Sequence, residues 1–130
     1  MRKGQLEARL IECFSRFEMN YMVLGPKTIK TTILGSMIIV RMSLYFSPAE
    51  KKLIETLEGV KLFKEVRRTL FEEGKEYRLE LLKEVLLEAY DIQIESTHMD
   101  ISVKTGEGVV ILSLSSNLEE LVFSVEPKMK

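Results

Sequence analysis

Gly25-Pro26-Lys27-Thr28-Ile29-Lys30-Thr31-Thr32-Ile33-Leu34-Gly35-Ser36-Met37-Ile38-Ile39-Val40-Arg41-Met42-Ser43-Leu44-Tyr45-Phe46 decides how the rest of this chain is read. Gly35-Ser36 is a two-residue turn signal, because glycine accepts positive φ at a tight hairpin corner. With that turn, Leu34 faces Met37, Ile33 faces Ile38, Thr31 faces Val40 and Ile29 faces Met42. Side chains alternate along a strand, so Ile29, Thr31, Ile33, Ile38, Val40, Met42 and Leu44 share one face, the core candidate.

The other face carries Thr28, Lys30, Thr32, Met37, Ile39, Arg41, Ser43 and Tyr45. This register sets Lys30 opposite Arg41, and opposed like charges are unfavourable. Water, a carboxylate from elsewhere in the chain or a bound anion must relieve them. The anion alternative defines a candidate site of Lys27, Thr28, Lys30 and Arg41.

Working outward, residues 2–24 read as an amphipathic helix through Leu6, Leu10, Cys13, Phe14, Phe17, Tyr21 and Leu24. Gly25 suits its C-cap and Pro26 bars continuation. Ser47-Pro48-Ala49-Glu50 is a helix start with a capping box, and Thr56 can cap the helix after it. That second helix reads as continuous from Leu57 to Ala89, ~50 Å at 1.5 Å per residue. A compact domain of this size is shorter. The helix therefore bends near Gly74 or lies against a second copy of the chain. The stripe Phe63, Val66, Leu70, Tyr77, Leu81 and Val85 is the candidate interface of a homodimer.

A second hairpin spans Asp91–Val103 and Gly108–Leu114, closed by Lys104-Thr105-Gly106-Glu107. A change of phase places a bulge near Ser96–Met99. The run Val109-Val110-Ile111-Leu112 predicts a central strand covered on both faces. Strand order 1-2-4-3 follows from the second and fourth strands being the most apolar. The fold class is α+β: two hairpins in an antiparallel or mixed sheet, packed on an N-terminal helix and a long central one, in the order α-β-β-α-α-β-β.

The chain has 130 residues, 45% hydrophobic and 30% charged, with a formal net charge of −1. That is one domain with a real core and no global charge footprint for nucleic acid. Its most apolar window is shorter than a membrane span and contains Arg41, so direct membrane insertion is not expected. No signal peptide is visible, and one cysteine fits a reducing cytoplasm.

Catalytic patterns are absent. Gly25-Pro26-Lys27-Thr28 lacks the glycine spacing of a phosphate-binding loop. Cys13 falls inside the helical stripe and reads as a buried, inert thiol. His98 is the single histidine, two residues from Asp100; an exposed or hydrogen-bonded strand histidine outweighs a proton-transfer pair or a half metal site. No metal or cofactor is expected. Glu72, Glu73, Glu80, Glu84 and Glu88 alternate with basic residues as on a solvated helix surface.

Several stretches together resemble one family. They are Gly25-Pro26-Lys27 with the Ile29–Met42 hairpin, Ser47-Pro48-Ala49-Glu50-Lys51-Lys52-Leu53, Thr56-Leu57-Glu58-Gly59, Lys64-Glu65-Val66-Arg67-Arg68, Asp100-Ile101-Ser102 and Thr105-Gly106-Glu107. The chain resembles the MpsC domain of a bacterial sodium-translocating, membrane-potential-generating system. The resemblance covers about residues 5–114, so residues 1–115 form the domain and 116–130 a tail. It departs from the family pattern where Val23-Leu24 replaces Gly-Arg and where no proline stands near Tyr77. The resemblance implies association with ion transport; together with the absent catalytic set and the wide helix stripe it points to a non-enzymatic cytoplasmic interaction or regulatory domain, a membrane transport protein being a candidate partner. The alternative is a binding module for a small anion or phosphoryl ligand at Lys27, Thr28, Lys30 and Arg41.

Overall fold

Gly35 adopts φ +59°, and the hairpin closes on it with the expected register: Lys30 pairs with Arg41, Ile33 with Ile38 and Leu34 with Met37. The computed structural model describes residues 2–22 and 25–125. Their element order is α1 (Lys3–Asn20), β1 (Thr28–Leu34), β2 (Met37–Ser43), α2 (Pro48–Leu53), α3 (Leu57–Glu73) and α4 (Lys75–Leu82). The α4 helix runs into a π turn over Lys83–Leu87; β3 (Ile94–Ile101), β4 (Glu107–Leu114) and α5 (Leu118–Val125) follow.

The four strands make one antiparallel sheet in the order β1-β2-β4-β3. Its inner face carries Ile33, Ile38, Val40, Val110 and Leu112, all fully buried, with Met42 beside them. Leu6, Leu10, Phe14 and Phe17 of α1 seal this face, and Leu118 and Val122 of α5 complete the same core. Residues set apart from the sequence as a tail thus supply two fully buried side chains. Burial of such aliphatic and aromatic groups, at ~1.5–3 kcal/mol each, is the main force holding the layers together.

The bulge lies between Ile94 and Ser96, just ahead of the expected stretch. The strand β4 is central, but it is covered on one face only. Val110, Leu112 and Leu114 are buried, whereas Val109 and Ile111 on the outer face are half-buried. Four consecutive apolar residues arise there because Val109 and Ile111 are shaded by flanking strands, opposite Arg41 and Asp100, and Ile39 and His98.

The helix caps match their sequence signals. Ser47 Oγ accepts from Glu50 N–H at 3.2 Å, Glu50 Oε1 accepts from Ser47 N–H at 2.9 Å, and Thr56 Oγ1 accepts from Gly59 N–H at 3.0 Å. The first helix is shorter than expected. It ends at Asn20, ahead of Gly25, with Tyr21 as C-cap and the Tyr21 ring stacked on Phe17. Leu24, read as the last residue of the stripe, lies outside the described residues.

The long helix bends where glycine allows it. α3 stops at Glu73, Gly74 caps it, and α4 begins at Lys75. A Cβ on Gly74 would lie 2.6 Å from the Phe17 ring and 2.9 Å from that of Tyr21. Close approach to α1 therefore requires glycine at the bend. With the bend, one chain wraps its own core, and helix length ceases to argue for a second copy.

Candidate functional site

The four residues picked as an anion site border one shallow pocket only in part. Thr28, Lys30 and Arg41 line it together with Glu107. Arg41 donates through Nε and Nη2 to Glu107 Oε2, at 3.0 and 2.7 Å. Of the three ways to relieve Lys30 opposite Arg41, the structure uses the carboxylate. Lys27 stands apart, its ammonium 5.3 Å above the Tyr45 ring.

The stripe picked as a dimer interface is mostly absorbed by the chain itself. Phe63 is 2% exposed and packs edge-on against Phe46, so it offers no surface to a second copy. Leu70, Tyr77, Leu81 and Val85 pack against the core and are partly covered. Val66 stands out, 50% exposed, as does Leu62 one turn before it.

His98 is exposed on the outer face of β3. Asp100, beside it, pairs with Lys64 Nζ at 3.4 Å. The Ile101 N–H and then Lys64 hold its carboxyl below the usual value. Cys13 is buried, its thiol donates to the Leu81 carbonyl at 3.2 Å, and burial pushes its pKa up. A thiol so placed stays protonated and unreactive. No group of metal-ligating side chains occurs among the described residues.

Sequence reasoning missed a buried charged cluster. Glu18, Arg67 and Arg78 are each 3–6% exposed. Arg67 donates to Glu50 Oε2 at 3.0 Å, and Arg78 donates to the Phe71 carbonyl at 2.6 Å with its guanidinium 3.8 Å from the Phe71 ring. Glu18 faces a small cavity of about 10 Å³ bordered by Met22, Met42, Phe71 and Met99. Burial pushes its carboxyl up to about 7 against the pull of Arg67 and Arg78. Burial likewise lowers Arg78 to about 10. A signal existed: Phe63, Arg67 and Phe71 recur at four-residue spacing, which places Arg67 on the buried side of α3.

Close to this cluster lies a groove of about 830 Å³ between β3 and the α3–α4 pair. That volume is in the range of ligand-binding clefts. Phe71, Leu79, Leu87, Ile92, Ile94 and Met99 give it an apolar lining. Arg68, Lys75 and Arg78 bring positive charge on the helical side, against Glu72 and Glu95.

The strand beside the groove is the last of the sheet. Ser102 N–H donates to the Glu107 carbonyl at 2.8 Å, so the pairs Asp100–Val109 and His98–Ile111 are the hydrogen-bonded ones. Thr97 and Met99, in alternate positions, therefore turn their N–H and C=O groups away from β4. The opposite edge is treated differently. On β1 the Glu7 carboxylate of α1 accepts from Ile33 N–H at 2.8 Å, and Thr31 Oγ1 donates to the Glu7 carbonyl at 2.6 Å. One sheet edge is met by a helix at Thr31 and Ile33, and the other opens onto a groove.

Comparison with known proteins gives two matches. The sequence pattern described as "Na+-translocating membrane potential-generating system (MpsC)" matches residues 2–116. An uncharacterised protein of Bacillus subtilis (strain 168), YbcI, is 33% identical over 118 residues, covering 91% of this chain and 92% of that protein. No solved structure matches.

Proposed function

The chain belongs to the MpsC family, and on that premise we propose that it is a non-enzymatic interaction domain serving a sodium-translocating, membrane-potential-generating system. The observation that carries this reading is the groove beside β3, which joins an apolar lining to a free strand edge. Such a surface suits a protein partner better than a reaction, because main-chain groups and apolar walls bind without supplying an acid, base or nucleophile. No helix among the described residues is long and apolar enough to cross a membrane. Contact with the system then runs through a membrane transport protein, at its cytoplasmic face.

Self-association is a second reading. What favours it is the pair Leu62 and Val66, each 50% exposed and one turn apart on α3. Light scattering at micromolar concentration is then expected to show a dimer that Val66→Glu splits; a monomeric wild type removes this reading.

The main proposal is tested in cells depleted of the protein. A potential-sensitive dye, read at a fixed sodium gradient, is expected to report a reduced membrane potential that the wild-type gene restores. An unchanged potential on depletion would overturn the functional assignment.

A further inference from the structure

We infer that the groove accepts an extended, acidic peptide segment of a partner protein, which adds to β3 as a fifth strand. The inference rests on the interaction-domain reading above and names the chemistry of the partner. Three observations carry it.

First, the free edge is placed where a strand would lie. Thr97 and Met99 direct unpaired main-chain donors and acceptors toward the groove side, and strand addition satisfies them. At the other sheet edge Glu7 of α1 already takes the Ile33 N–H and binds the Thr31 hydroxyl. Second, the walls suit alternate side chains. In an added strand every second residue points into the groove, where Phe71, Leu79, Ile94 and Met99 wait for apolar groups. Third, the charge selects the sequence. Arg68, Lys75 and Arg78 stand on the helical wall against Glu72, and with Glu95 of β3 counted the lining still holds three such cations to two carboxylates. Arg78 is nine-tenths buried and is fixed by Phe71 and Phe17, so its guanidinium is preorganised. A peptide carboxylate meets this wall with a charge-assisted hydrogen bond, whereas a lysine there meets like charge.

The experiment uses the full chain as bait for a displayed library of random twelve-residue peptides. Enriched sequences are expected to alternate apolar and polar residues and to carry Asp or Glu. A synthetic peptide of the enriched sequence is then titrated into the protein. Replacing its acidic residue by lysine is expected to weaken binding at least tenfold. Arg68→Glu with Lys75→Glu is expected to reverse that preference. Thr97→Pro removes an outward N–H without touching the β3–β4 ladder, and is expected to abolish binding while the melting temperature falls only slightly.

If Thr97→Pro does not fold, amide exchange of the wild type decides: the peptide must slow exchange at Thr97 and Met99. Enriched peptides without acidic residues, or with helical rather than alternating spacing, overturn the inference. So do amides at Thr97 and Met99 that the peptide leaves unaffected, and so does a dimer that Thr97→Pro dissolves, which would seat a second copy at this edge. Loss of this result with a sodium-dependent potential still reduced by depletion would reject the strand-addition mode alone and leave the functional assignment standing.

Discussion

Arg41 lies directly across the β1–β2 ladder from Lys30, yet its guanidinium is turned to Glu107 at the start of β4, 2.7 Å away. A hairpin that would carry two opposed cations is thus completed by β4. The Arg41 and Glu107 side chains are 61% and 39% exposed, so solvent screens the pair and its direct worth is about 0.5 kcal/mol. Glu107→Gln is expected to lower stability by about that amount in urea titration. Adding Lys30→Thr is expected to recover part of the loss, because the remaining repulsion goes with it. Equal losses in the single and double variants would show that Lys30 and Arg41 do not interact.

Glu18 makes stability depend on pH in an unusual direction. Its carboxyl is raised from the ordinary 4.5 to about 7, chiefly by burial. The folded chain therefore holds a proton that the unfolded chain releases, and the protonated form favours folding. This contribution is fully present below pH 4.5 and is lost as pH rises to about 7, a change on the order of 3 kcal/mol. Asp100 and Glu119, both lowered, act in the opposite sense, as acid removes their contribution. Chemical unfolding of the wild type between pH 5 and pH 8 is expected to show falling stability, and Glu18→Gln is expected to flatten the curve. A wild-type curve that rises over this range would mean that Glu18 is ionised when folded.

Gly74 links the bend of the long helix to α1. Alanine would normally favour a helix by ~1 kcal/mol over glycine. Here its Cβ would lie 2.6 Å from the Phe17 ring, and overpacking costs ~1–3 kcal/mol. Gly74→Ala is therefore expected to lower the melting temperature, against the propensity scale. A higher melting temperature would show that α1 can move away from the bend at little cost.

Much of this architecture can be read from particular residues. Gly35-Ser36 and the alternation on either side set the hairpin register, because a slip by one residue would put Ile33, Val40 and Met42 in water. All three are buried. Ser47-Pro48-Ala49-Glu50 marked a helix start with its capping box. The apolar richness of β2 and β4 placed them at the centre of the sheet. The candidate sites were harder to see. Charged residues on an amphipathic helix look solvated, so nothing in composition sets Glu18, Arg67 and Arg78 apart, although all three are buried. For Arg67 the four-residue spacing with Phe63 and Phe71 was a local signal; the burial of Glu18 and Arg78 depends on how α1 crosses α3 and α4, a relation no local pattern encodes. The groove escaped for a related reason: strand order 1-2-4-3 puts β3 at the edge of the sheet, but how far the α3–α4 pair stands from that edge is a matter of tertiary packing.

The account stands on β3 being an open edge while β1 is held by α1 at Ile33, and amide hydrogen exchange of the purified chain tests this most directly. The amides of Thr97 and Met99 are expected to exchange quickly. Those of His98, bonded to β4, and of Ile33, held by Glu7, are expected to exchange slowly. Thr97 and Met99 protected as strongly as His98 in the isolated chain would mean that the edge is already occupied, and would contradict the docking site.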